Sequence, residues 1–249
     1  MTVTIAHHLL VVFLVLIFPL WDRRETRRLK ADPTQHNRTR SYQKTIIWLW
    51  AATVLLLLTT PALILTTPPP SRLLAAMHAR TMMAIVILAA FVVGLVAPVI
   101  LIRRNPKALA SQRAQLARIA FFLPHSRTER WWFAAVSISA GICEELIFRG
   151  FLIRYLDTVP LGLGLVGAVI VSALIFGLDH GYQGWTGMLT TSGLALFFTL
   201  LFFLAGRLWV PMIAHALLDL RILLFDVGGT PDAHAGAESP AAEPLSPPV

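Results

Sequence analysis

Six side chains able to move protons or hold charge lie where the chain is otherwise apolar. Glu144, Glu145 and Arg149 interrupt the run "GICEELIFRG", His180 closes "FGLDHG" four residues after Phe176, and His215 and Asp219 stand in "MIAHALLD". On a helix, Glu145 and Arg149 share a face and suit an ion pair, while Glu144 points about 100° away and keeps its carboxyl group for another task. In a low-dielectric cavity that group is a candidate general base or acid. His215 and Asp219 are one turn apart, so the Asp can orient the imidazole or join it in binding a polar group. Amide hydrolysis needs a base for water, a donor for the leaving amine and a stabiliser for the tetrahedral oxygen. Glu144, His180 and His215 can supply all three. No His-Glu-x-x-His helix competes with them, and "SISAG" and "TTSG" lack a partnered base.

The elements that must position these residues are membrane helices. Only 14% of the chain is charged and 56% is hydrophobic, with a mean hydropathy of +0.70, whereas an ordinary soluble domain is about 25% charged. The formal charge of +8 does not mark a nucleic-acid partner, because Lys and Arg cluster in loops beside apolar runs, the pattern that sets membrane topology. Membrane lipids are the expected surroundings and no nucleic acid is expected. The single cysteine, Cys143, excludes an internal disulfide and reads as a packing residue.

Seven apolar runs predict an all-α, polytopic membrane bundle of about seven spans, with the active site buried between helices. They lie at 3–21, 45–66, 81–102, 131–156, within 161–182, at 186–206 and at 207–225, each near the roughly 20 residues that cross a bilayer. The first reads as a retained span with His7 and His8 at the interface, since no basic residue precedes it and no small-x-small site follows. Pro61 is expected to bend the second. The basic segment 103–130 is too charged to cross and suits an interfacial helix. "PLGLGLVG" predicts an extended turn with the fifth helix starting near Gly167, which brings His180 to the depth of Glu144. The expected division is 1–130 as N-terminal spans with basic loops, 131–226 as a catalytic helical core and 227–249 as a disordered Pro/Ala-rich tail. Loops 22–44 and 103–130 hold most of the 21 Lys and Arg, so their side is predicted cytoplasmic and the N-terminus outside.

In their order, the three polar motifs resemble those of the CAAX prenyl proteases and their bacterial relatives, the bacteriocin-processing or Abi-type intramembrane proteases. That family's pattern is E-E-x-x-x-R, then F-x-x-x-H, then H-x-x-x-N or a related polar residue, here spread over 131–225. The resemblance implies a multi-pass intramembrane endopeptidase of a bacterial plasma membrane, acting on a peptide or membrane-protein substrate. It implies that Glu144 and His180 activate water, while His215 and the residue four later help to stabilise the oxyanion. Asp219 stands where eukaryotic members have Asn; an ionised Asp repels an oxyanion, which leaves it to orient His215 or to donate when protonated. The resemblance also implies an active site open to the cytosol, whereas the charge bias sends the C-terminal end of the fourth span outward. Family naming leans to a metalloprotease, and zinc would take Glu144, His180 and His215 as ligands. The spacing pre-arranges no metal pair and favours a metal-free glutamate base. Two other classes stay open: a non-catalytic immunity or scaffold protein that keeps the polar residues for packing, and a proton-coupled transporter. The transporter is disfavoured because no repeated halves are evident.

Overall fold

The computed structural model describes residues 3–68, 81–159 and 161–225, and every regular element among them is helical. The expected tail at 227–249 lies outside the described residues. The first helix, α1 (Ile5–Ala31), runs through the expected span into the basic segment, with a π-helical stretch at Phe13–Ile17. Helix α2 (Gln35–Thr59) starts at Thr34, whose hydroxyl accepts from the Asn37 backbone N–H at 3.3 Å. Thr60 is extended, as a residue before proline prefers. Pro61 therefore ends α2 rather than bending it, and a short α3 (Ala62–Thr66) follows. Helices α4 (Thr81–Arg104) and α5 (Pro106–Leu116) come next, the latter from the basic segment with proline at its first position.

The central helix, α6, covers 127–158 as three joined stretches: α at Arg127–Glu144, π at Glu145–Leu152 and α at Ile153–Thr158. Its start is a capping box: Ser126 accepts from the Glu129 N–H at 3.2 Å, and the Glu129 carboxylate accepts from the Ser126 N–H at 2.7 Å. Helices α7 (Gly164–Asp179), α8 (Gly184–Ala205) and α9 (Trp209–Leu220) complete the bundle. Helix α7 begins at Gly164, ahead of the expected Gly167. Gly162 and Gly164 supply the turn before it, with φ of +66° and +59°.

Four helices among the described residues are long and apolar enough to cross a membrane: Ile5–Ala31, Gln35–Thr59, Met82–Arg104 and Gly181–Ala205. The sequence predicted seven. The 16 residues of α7 and 12 of α9 reach only about 24 and 18 Å against a hydrocarbon core of about 30 Å. Helix α6 is long enough but carries the charged triad at its middle.

Helix α6 packs against α2, α7 and α9, and α8 packs against α4, α7 and α9. Two glycines set the closest approaches beside the polar residues. A Cβ on Gly141 would meet Ala216 of α9 at 2.9 Å, and one on Gly177 would meet the Ser192 hydroxyl of α8 at 2.0 Å. Small residues of this kind let membrane helices touch backbone to backbone. The core beside them includes Phe148, Phe151, Leu152, Phe176 and Phe202. Cys143 is buried as a packing residue. His7 is buried rather than interfacial: its Nε2 pairs with the Thr60 hydroxyl at 2.9 Å, tying α1 to the end of α2. His8 is exposed and bonds the Tyr155 hydroxyl at 2.6 Å.

The basic segments gather at one end of the bundle. Arg38 Nε bonds Glu129 Oε1 at 2.5 Å, the Tyr42 hydroxyl donates to the Phe122 carbonyl, and Arg130 donates to the Leu223 carbonyl at 2.5 Å. At the other end the Leu208 N–H donates to the Thr66 carbonyl at 3.2 Å, and Arg154 donates to Thr67.

Candidate active site

Glu144 is the last residue of the first α stretch of α6 and Glu145 opens the π stretch, a rare geometry that recurs at functional sites. Glu145 and Arg149 form the expected pair, Oε1 to Nη1 at 3.0 Å, with both side chains buried. The same Oε1 accepts from His215 Nδ1 at 2.9 Å. The ring of His215 is thus oriented by Glu145 on α6, not by Asp219 on its own helix. Asp219 Oδ2 lies 3.7 Å from the opposite nitrogen, Nε2, and Glu144 Oε2 lies 3.9 Å from it. Both separations exceed a direct hydrogen bond. The arrangement follows from packing: the close approach at Gly141 brings α9 near enough to α6 for Nδ1 to reach Glu145.

Phe176 joins the motifs. Its carbonyl oxygen accepts from His180 Nδ1 at 2.8 Å, leaving Nε2 as the free nitrogen. Its ring lies 4.7 Å from the His180 ring, 5.9 Å from that of His215 and 4.5 Å beneath the Arg149 guanidinium. From α8, Phe198 stacks on His215 at 5.2 Å and lies 5.5 Å from Arg149. Arg149 also donates to the Ala195 carbonyl at 3.4 Å. A buried guanidinium between two aromatic faces is held by cation–π attraction worth about 2 kcal/mol or more when desolvated.

Glu144, His180, His215 and Asp219 line one cavity of about 350 Å³. Glu145 and Arg149 stand behind it. The lining continues through Asp22, Thr45, Phe122 and Tyr182 to Arg221 and Phe225, residues of the basic end. On α6 the lining residues run from Phe133 to Ile147, and none comes from the Ile153–Thr158 stretch.

Zinc does not fit the residues as they stand. Among the described residues no group of three or more His, Cys, Asp and Glu is arranged to hold a metal ion.

Sequence reasoning passed over Asp22, Asp179 and Phe198. Asp179 carried the same signal as the named residues, a charge at the end of an apolar run. Phe198 had none, being one of 14 phenylalanines.

Residues 126–221 match the Rce1-like family, type II CAAX prenyl endopeptidases. Over that segment the chain is similar to the CAAX protease family. No curated protein and no solved structure matches it. The matched CAAX protease segment begins at the Ser126 cap and holds all six polar residues. Helices α1 to α5 lie before it, yet α1 and α2 supply walls of the cavity.

Proposed function

We propose that this CAAX-type protein is an intramembrane endopeptidase that cleaves a peptide or membrane-protein substrate with Glu144 as base. One observation carries this reading: Glu144, His180 and His215, brought from separate helical segments, line the same buried cavity. Glu145 and Arg149 satisfy each other's charge, which packing alone would explain. Glu144 has no such counter-charge: its nearest basic group is His215 Nε2 at 3.9 Å, and its Oε2 is buried without a hydrogen-bond partner among the described residues, which is costly within a membrane helix.

In the proposed reaction Glu144 takes a proton from water, and the water oxygen adds to the scissile carbonyl carbon to give a tetrahedral oxyanion. His180, with Nδ1–H given to the Phe176 carbonyl, offers Nε2 as an acceptor that orients the water. His215, fixed at Nδ1 by Glu145, donates from Nε2 to the oxyanion in its doubly protonated form. The intermediate collapses, the C–N bond breaks, and the leaving amine takes the proton held by Glu144. Asp219 acts through His215, beside its donating nitrogen. The cavity's course toward the basic end supports cleavage at the cytoplasmic face, and the resemblance to Abi-type relatives supports a bacterial plasma membrane.

A quenched-peptide library incubated with the purified chain in nanodiscs tests the reading. Wild-type protein is expected to release fluorescence, and His180→Ala and His215→Ala, folded and at equal amount, to lose at least about 100-fold. No cleavage by wild type, or equal cleavage by the variants, would refute it.

A further inference from the structure

The proposed reaction leaves one buried acid of the cavity unused. Asp179 ends α7, directly precedes His180 and is only 7% exposed. Its Oδ1 has no hydrogen-bond partner among the described residues, and its side chain lines the cavity. A buried, unpartnered carboxyl group thus faces the space a substrate enters.

Structural roles do not account for it. A carboxylate at a helix C-terminus meets the negative pole of the helix dipole, where cations are favoured and anions are not. Asp179 also lies close enough to Asp22 and Glu144 to feel both, which adds repulsion between like charges. Other acids of the cavity have cationic or imidazole neighbours: Glu25 pairs with Lys44 at 2.6 Å, and Glu144 and Asp219 face His215. Asp22, from α1, lines the same cavity. A buried acid among like charges stays ionised only where a cation faces it.

We propose that Asp179, together with Asp22, forms a subsite for a cationic group of the substrate: a Lys or Arg side chain or a free α-amine. This rests on the peptidase reading in that the cation belongs to a peptide. Because Asp179 adjoins His180, the basic residue sits close to the cleaved bond. Apolar walls such as Phe18, Trp21 and Trp48 lower the local dielectric and strengthen the pair. A neutral isostere is rejected because it leaves a buried polar group without its partner.

Binding separates the subsite from catalysis. Fluorescent decapeptides, in a library where one position at a time holds Lys, Arg, norleucine or citrulline, are titrated against the full chain carrying Glu144→Gln in phosphatidylcholine nanodiscs. At the preferred position the basic residue is expected to bind at least about tenfold tighter than its neutral isostere. Adding Asp179→Asn should reduce that ratio to about threefold or less. Equal binding of basic and neutral peptides at every position overturns the subsite, as does a ratio that Asp179→Asn leaves intact. Should Asp179→Asn fail to fold, Asp22→Asn at a partly exposed position takes its place, and an unchanged ratio there counts against the proposal. A basic preference in a chain that cleaves none of the peptides once Glu144 is restored would keep the subsite and remove the peptidase reading.

Discussion

Two adjacent glutamates on α6 differ in their partners: Glu145 is hydrogen-bonded, and Glu144, among the described residues, has only His215 at 3.9 Å. Glu145 receives Arg149 at 3.0 Å and His215 at 2.9 Å on a single oxygen, so Arg149→Ala strands a buried carboxylate. That variant is expected to lose about 3–5 kcal/mol of stability as well as activity, seen as a lowered melting temperature in detergent. His180→Ala should lose activity at an unchanged melting temperature. A destabilised His180→Ala alongside a stable Arg149→Ala would reverse these roles. Chelation is a second check at this scale. With Glu144 as the base and no fitting zinc set, activity should survive exhaustive chelator treatment; loss of cleavage that added zinc restores would show that the base is metal-bound. The six polar residues were legible in the sequence because charge inside an apolar run is costly and therefore conspicuous. The partner of His215 was not: spacing along α9 pointed to Asp219, but the bond comes from Glu145, and a cross-helix contact leaves no mark in local periodicity.

Helix contacts decide whether these residues meet. Gly141 carries α9 against α6, and its Cβ would stand 2.9 Å from Ala216, next to His215. Gly141→Val is expected to push α9 away and cut activity by at least about tenfold while the chain still inserts; unchanged turnover would separate that approach from catalysis. The start of α6 carries a pH dependence of its own. Glu129 precedes the Trp131–Trp132 pair; burial raises its carboxyl group, but Arg38 and the backbone N–H groups of Ser126 and His125 outweigh burial and hold it below the usual value of 4.5. A lowered folded value means the clamp stabilises fully above about pH 4.5 and is lost as pH falls through the folded value. Melting temperature should therefore drop on acidification below that point in wild type and drop less in Glu129→Gln. Helix existence was readable from apolar runs, but helix length was not. Among the described residues α7 and α9 are shorter than a full crossing, and the sequence carries no sign of where the ends of α9 turn.

At the scale of the whole molecule, cavity and charge point the same way. The lining reaches Asp22, Phe122 and Phe225 at the end where Arg38, Glu129 and Arg130 tie the basic segments together. In a Cys143→Ser background, single cysteines placed in 22–44 or 103–130 should label from the cytoplasmic face; labelling only from outside would invert the orientation. The decisive question is whether Glu144 makes the chain a protease. Mass spectrometry of new protein N-termini in membranes from cells making wild-type or Glu144→Gln chain at equal abundance answers it whatever the substrate is. The account predicts a set of termini present with wild type and absent with Glu144→Gln. Identical termini in the two membranes would contradict it.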